Sequence, residues 1–266
     1  MSSTDPVHVG PQHYPDHLSI PVTGAKVPKV DAATIDSLRG VSAATASAEL
    51  HQMGVRQTFI QGPESRLPGS SIIGNAVTLQ FMPQREDIAS GQGQEQAEKK
   101  TALWQVLDEI EPGDVLVVQA YGDMYTGVLG EMLITYLKGR GGIGLVADGC
   151  IRDWPKVRNI GLPLWTLGAT PNYSSQASLF PWGYNVPVAL GRVTVLPGDI
   201  IIADDDGAVA VPRKMAADLA VTTTEHEEWE EFSRLRLAEG GSIAKYYPLN
   251  AEGEREYQQW RSEQKR

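Results

Sequence analysis

A single cysteine, Cys150, is the only thiol in 266 residues, so an intrachain disulfide and any cysteine-cluster metal site are excluded. Histidine is almost as sparse. His8, His13, His17, His51 and His226 are scattered, three of them within the first 17 residues, and no HExxH motif occurs, which argues against a histidine-rich zinc site. No run approaches the roughly 18 apolar residues of a membrane span, and the N-terminal text lacks a basic start followed by an apolar segment. The expectation is a cytoplasmic protein with no membrane partner. Basic residues are in deficit, 23 Lys and Arg against 33 Asp and Glu, for a formal charge of −10. That balance opposes non-specific attraction to nucleic acid or an anionic bilayer, so no nucleic-acid partner is expected and an anionic substrate needs a local positive site. Internal repeats and low-complexity tracts are also missing. What is present is ordinary for a globular chain, 41% hydrophobic and 21% charged, with enough apolar residues for one sizeable core.

Residues 1–30 carry Pro, His and Gly without periodicity and read as an extended arm outside the core, able to wrap a neighbouring subunit. Two short helices are expected between Val30 and Met53, with Asp31 and Ser42 as caps and Gly40 and Gly54 as stops. Strands are expected at Gln57–Ile60 and Ile72–Phe81. A polar stretch then begins as a loop and becomes a helix that ends at Glu111-Pro112-Gly113. Asp114–Ala120 (DVLVVQA) is a continuous apolar run of strand length, buried on both faces if it lies mid-sheet. A glycine-punctuated loop leads to a helix over EMLITYLKGRG and a strand at Ile143–Ala147. Strand, helix and strand in that order form a right-handed parallel crossover, and ligands bind at the carboxyl ends of such strands. A short helix over WPKVRNIG and a strand over PLWTLGA follow. Beyond Val186 several short strands are expected, with turns at Pro197-Gly198 and Asp206-Gly207. Residues 213–237 read as a long charged helix and the remainder as a tail.

Chemistry concentrates in Asp148-Gly149-Cys150-Ile151-Arg152-Asp153, read as the loop after a buried strand. It holds two carboxylates and a guanidinium within six residues. Arg152 can fork onto a ligand carboxylate while Asp153 holds a hard cation; the plainer reading is that Asp148 caps the loop and Arg152 and Asp153 cap the next helix. Gly130-Glu131-Met132-Leu133 opens the preceding helix, where free N–H groups and the positive dipole end favour an anion. A substrate carboxylate fits there with Arg152 on its other side; the plainer reading is that Glu131 stabilises its own helix. Both segments sit at strand–helix junctions of one crossover and are expected to be neighbours.

Other signals are weaker. Gly139–Gly144 matches GxGxxG, but it follows a helix and precedes a strand, the reverse of a dinucleotide site. Asp204-Asp205-Asp206-Gly207 reads as a hairpin turn, not a calcium loop. The glutamates 225, 227, 228, 230 and 231 read as a solvated helix face. Cys150 reads as a small buried residue, and Trp104, Trp154, Trp165, Trp182 and Trp229 as packing residues, with Trp154 placed to wall a pocket. Lys138 and Lys156 flank the two motifs on helices without lying in either, which argues against a Schiff-base aldolase.

Glu131, twenty intervening residues and then Arg152-Asp153 resemble the acidic-x20-Arg-Asp signature of the RraA-like family, which contains class II 4-hydroxy-4-methyl-2-oxoglutarate/4-carboxy-4-hydroxy-2-oxoadipate aldolases and the regulators of ribonuclease activity. GDVLVV, GVLGEML, GLVADGCIRD, GLPLW and VTVLPGDIIIADDDGAVAVP are similar to that family in order and spacing, over roughly Val30 to Pro212. The resemblance implies an α/β fold of the swivelling β/β/α type, a central β-sheet flanked by helices, with residues 31–212 as the catalytic domain. It implies a homotrimer or homohexamer with the site at a subunit interface and residues 213–266 between subunits. It further implies that Asp153 binds Mg²⁺ or Mn²⁺, largely through water. Arg152 and the amides of Gly130, Glu131, Met132 and Leu133 then hold the pyruvyl unit of a 2-oxo acid. Glu131 stands where the family often has Asp, and Glu225 or Glu228 of a neighbouring subunit is a candidate to approach the metal waters. The implied activity is a metal-dependent lyase, performing a retro-aldol cleavage, an oxaloacetate decarboxylation or both, through a pyruvate enolate. A water, held by Glu131 or Asp148, is the expected proton acceptor, and the loop ATPNYSSQASLFPWGYN is expected to bear on substrate choice. Two alternatives stay open: a non-catalytic ribonuclease-regulator-type binding protein, and a metal-dependent hydrolase or dehydratase acting on a related acid.

Overall fold

A computed structural model of the chain describes residues 19–85, 101–173 and 178–264. The first 18 residues of the expected arm with their three histidines, most of the polar loop before Thr101, part of the 169–185 loop and the Glu225 side chain lie outside the described residues.

The centre is a sheet whose parallel core follows from buried β-branched and aliphatic runs. Strands β4 (Ile72–Pro83), β5 (Asp114–Gln119), β6 (Gly144–Ile151) and β7 (Leu164–Ala169) lie side by side and parallel. Every residue of β5 and β6 is buried, as continuous apolar runs in a two-sided parallel sheet require. β4 is long enough to serve two neighbours on its other edge. Its first half pairs antiparallel with β11 (Ile200–Asp204) and its second half with β8 (Leu179–Tyr184). β12 (Gly207–Val211) and β2 (Phe59–Ile60) continue beyond β11, while the two-residue β3 (Glu64–Ser65), not expected from the sequence, closes the far edge against β7.

Helices α3 (Ala102–Glu109), α4 (Glu131–Gly139) and α5 (Trp154–Ile160) cover one face around Leu79, Phe81, Leu116, Val118 and Leu145. A hairpin of β9 (Val188–Leu190) and β10 (Val193–Val195) covers the other, packing on Val115, Val117, Val146 and Trp165. The result is a mixed α/β fold with a central sheet flanked by helices, as expected. Helices α1 (Ala32–Ser37) and α2 (Ala43–Gln52) start where Asp31 and Ser42 accept hydrogen bonds from the Thr34 and Thr45 amides (2.9 and 3.0 Å).

The described end of the arm is extended and outside the core, and two later boundaries differ from expectation. The part of the arm beyond residue 18 lies on its own chain: β1 (Val22–Thr23) pairs with β8, Lys29 reaches the buried Asp114 carboxylate at 2.7 Å, and the Val30 amide donates to Asn75 Oδ1 at 2.9 Å. The C-terminal segment is more than one helix and a tail. After α6 (Ala216–Ala238) come α7 (Ile243–Tyr246) and α8 (Ala251–Gln264), which fold back so that Tyr246, Tyr257 and Trp260 enclose Phe232. Tyr257 and Trp260 stand three apart on one helical face, a short stripe hidden in a charged sequence. Finally, Asp148 through Ile151 belong to β6, not to a loop, because β6 shifts register against β7 between Ala147 and Cys150 and resumes pairing.

Candidate active site at the tip of the crossover

The site forms where β5 and β6 hand over to α4 and α5. The segment before α4 returns toward β6 and runs beside its end. The Val128 amide donates to the Cys150 carbonyl, the Arg152 amide to the Leu129 carbonyl, and the Gly127 amide to the Asn172 carbonyl, each at 2.9 Å. This brings Gly130–Leu133 and Arg152-Asp153 together, as the junction argument expected.

Gly130 is the point of closest approach. A Cβ there would stand 2.6 Å from Asp153 Oδ2 and 2.7 Å from Arg152 Nε, so any larger residue would push these two side chains from their present positions. Asp153 adopts φ 61°, ψ 29°, a left-handed conformation that acidic side chains tolerate better than most. It makes no side-chain cap to α5; its Oδ2 instead accepts from the Glu131 amide at the start of α4 (3.2 Å) and lies 3.4 Å from Arg152 Nε. The first helical amide, expected to face a substrate, is thus taken by Asp153. The Met132 and Leu133 amides precede the first intrahelical bond, which Ile134 makes to Gly130 at 3.0 Å.

Arg152 lies over the Tyr173 ring, 5.6 Å from guanidinium carbon to centroid, and Gly127 bridges to Tyr173. Among the described residues its terminal nitrogens make no hydrogen bond, and Asp153 Oδ1 accepts none. Both side chains are 39% exposed. Glu131 pairs with Lys156 on α5 at 2.9 Å, and that bond raises the lysine's pKa. Asp148 is placed differently. It is buried, with Oδ1 accepting the Ala120 amide, and burial pushes its pKa up to about 7 while the amides of Ala120, Gly122 and Tyr121 pull the other way. Asp123 holds the intervening loop through the Tyr125 and Thr126 amides and the Thr126 and Ser178 hydroxyls; burial opposes its charge, yet these bonds hold its pKa below the usual value.

Met132 is exposed on α4, and Leu133 packs against the helix-side core. Glu228 forms a two-pronged pair with Arg261 of α8, both contacts at 2.9 Å, within its own chain. Tyr173, Gly127 and Asp123 were not singled out from sequence. The GxxG spacing of Gly127 and Gly130 is one available signal; Tyr173 lies in the loop expected to bear on substrate choice, with no mark of its own. Trp154 carries the guanidinium of Arg66 over its ring at 5.3 Å.

A divalent cation fits this donor set. Among the described residues no three His, Cys, Asp or Glu side chains gather to form a closed cage. A single partly exposed carboxylate, with one oxygen that accepts no hydrogen bond among the described residues, suits a hard cation that keeps most of its own water.

The model of the RraA-like family (Aldolase/RraA) matches residues 32–210. The chain belongs to the RraA-like family. Among solved structures, RraA-like similarity is high for Streptomyces coelicolor RraAS2, described as an unusual member of the RNase ES inhibitor RraA protein family. The two are 52% identical with a TM-score of 0.73, covering 79% of this chain and 100% of that one. A Pseudomonas syringae pv. tomato protein of uncharacterized function, 22% identical with a TM-score of 0.71, covers 83% of this chain and 100% of its own and shows the shared fold. A provisionally named 4-hydroxy-4-methyl-2-oxoglutarate aldolase of Halalkalibacterium halodurans is 31% identical over 142 residues, 53% of this RraA-like chain and 60% of that protein's length.

Proposed function

We propose that this RraA-like protein is a divalent-cation-dependent lyase that cleaves a C–C bond of a 2-oxo acid, by retro-aldol cleavage of a 4-hydroxy-4-methyl-2-oxoglutarate-type substrate, oxaloacetate decarboxylation or both. The carrying observation is the open chemistry at the α4–β6 junction: an Arg152 fork and an Asp153 oxygen without partners among the described residues, 21 and 22 positions after Glu131 and beside it in space. Similarity to a provisionally named aldolase supports the same reading.

Arg152 binds the 2-oxo acid carboxylate with its terminal nitrogens, and Tyr173 beneath it limits the planes the guanidinium can take. The Met132 and Leu133 amides add donors at the positive end of α4. Asp153 is the residue to hold Mg²⁺ or Mn²⁺, whose contribution is Lewis-acid stabilisation of the negative charge that develops on the C2 oxygen. Breaking the C3–C4 bond leaves its electron pair in a pyruvate enolate, while the C4 hydroxyl proton passes to a water held by the Glu131 carboxylate. Loss of CO₂ from oxaloacetate reaches the same enolate without that proton transfer. The rim residues Tyr121, Met124, Tyr125 and Met132 are all more than half exposed, consistent with assembly into a homo-oligomer.

A second reading is an inhibitor-type binding protein, and the 52% identity to a member of an RNase inhibitor family favours it. Coupled measurement of pyruvate separates the two. Release from 4-hydroxy-4-methyl-2-oxoglutarate or oxaloacetate with Mg²⁺ or Mn²⁺, stopped by chelator, is expected; no turnover of any 2-oxo acid would remove the lyase and leave the binding protein.

A further inference from the structure

We propose that Asp148 is a positioning residue whose buried carboxylate gathers the chain leaving β5 and thereby sets where the Gly127–Leu133 wall stands against Arg152 and Asp153. Its catalytic consequence rests on the lyase reading; its structural consequence does not.

The register shift of β6 between Ala147 and Cys150 surrounds Asp148, and shifts of this kind re-aim a side chain without ending the strand. The next residue must be glycine for the neighbours to meet: a Cβ on Gly149 would lie 2.7 Å from Ala120 Cβ. Asp148 Oδ1 receives the Ala120 amide, and the Asp148 carbonyl receives the Gly122 amide at 2.8 Å. Tyr121 and Gly122 are successive left-handed residues, at φ 57° and 70°. Left-handed φ is uncommon for tyrosine, and it persists only where surrounding bonds define it. The side chain of Asp148 takes the Ala120 amide and its carbonyl takes the Gly122 amide, so one residue holds both sides of this left-handed turn.

From that anchor the chain runs through the Asp123 turn into the two hydrogen bonds that dock residues 128 and 129 beside the end of β6 and the one that ties Gly127 to Asn172. The anchored segment therefore ends at Gly130, the point of contact with Arg152 and Asp153. Asp148 itself is 6% exposed with an oxygen already engaged, poorly placed to exchange a proton with a substrate. Burial holds its pKa near 7, so a neutral side chain of the same shape is a fair replacement.

The test compares Asp148→Asn with Asp148→Ala by steady-state pyruvate release from pH 5.5 to 8.5 with saturating Mg²⁺, and by hydrogen–deuterium exchange over residues 120–133. Loss of a hydrogen bond to a charged group corresponds to about 10- to 100-fold in local opening. In Asp148→Ala, exchange over 120–133 rises by about that factor and KM rises more than kcat falls, whereas Asp148→Asn keeps kcat within about tenfold of wild type. The proposal is overturned if 120–133 is as protected in Asp148→Ala as in wild type. It is equally overturned if Asp148→Asn loses kcat about 100-fold or more at unchanged KM with its acidic limb abolished, the behaviour of a proton acceptor. If the alanine variant does not fold, the asparagine kinetics alone decide. If the wild type turns over no 2-oxo acid, the lyase reading falls and the exchange experiment still decides the role of Asp148.

Discussion

The crossover tip and the C-terminal helices are both rich in charge, and they use it in opposite ways. In the helices, Glu228 is gripped by Arg261 and Lys245 by Glu252 and Glu256, so opposite charges meet and the group closes on the aromatic cluster around Phe232, while the two ring nitrogens of His226 contact Glu49 and Glu230. At the tip, Arg152 and Asp153 touch at one atom each, and among the described residues the Arg152 terminal nitrogens and Asp153 Oδ1 have no hydrogen-bond partner, while backbone hydrogen bonds and close glycine contacts fix the segments that carry them. Charges that satisfy one another hold structure; charges held by the backbone are left for a ligand. Site residues are therefore sought where positioning comes from the main chain, not from a matching side chain.

The sharpest break between the two regions is expected from Phe232→Ala. This fully buried ring at the centre of the C-terminal cluster should contribute about 3–5 kcal/mol, read from denaturant unfolding, with kcat of the folded protein unchanged. A fall in kcat would tie the helices to the site. Asp153→Ala should do the reverse, lowering metal-dependent turnover on the order of 10²–10³-fold with the unfolding midpoint held; wild-type turnover in this variant would refute its role. Asp148 adds a pH signature. Its folded-state pKa, about 7, exceeds the ordinary 3.8, so between these values the folded state binds more protons than the unfolded state. Stability should accordingly fall as pH rises from about 4 to about 7, by on the order of a few kcal/mol, and level off above. Asp114 and Asp199, also raised by burial, act in the same direction. Asp148→Asn should flatten the slope, and an unchanged slope would assign it elsewhere.

Smaller effects refine the contrast. Gly130→Ala pushes against mobile side-chain atoms of Arg152 and Asp153, so the fold should survive while KM for the 2-oxo acid rises about tenfold, or about 1.4 kcal/mol. An unchanged KM would show that the close approach has no bearing on binding. Glu228→Gln weakens a partly exposed ion pair and should cost no more than about 1 kcal/mol in stability, with no kinetic effect. A loss of turnover would instead place this glutamate in the site of a neighbouring copy.

Much of the fold and of the tip was legible because it is written locally. Asp31 and Ser42 cap the helices they precede, the buried run at Asp114 is the central strand, and the two junction motifs meet because a crossover must return its strand ends to one side. The misreadings arose where partners are distant in sequence. Asp148 looked like a loop residue because a strand that bulges and continues has no local mark, and Glu228 looked free because Arg261 follows 33 residues later on a helix whose apolar stripe is only two aromatics wide. The N-terminal lysines likewise gave no sign that their partners lie at Glu111 and Asp114.

The sequence by itself determined the sheet's parallel core, the helix starts, the acidic balance and the spacing that brings Glu131 to Arg152-Asp153, because these follow from residue periodicity, local hydrogen bonding and covalent distance. Only the tertiary structure decided which carboxylates are engaged and which stay open. Asp153 reaches a helix amide 22 residues away, Asp148 is buried against the end of a neighbouring strand, and Glu228 is closed by a helix that folds back onto it. Pairing and burial depend on contacts between segments remote in the chain, and those exist only after the chain has packed.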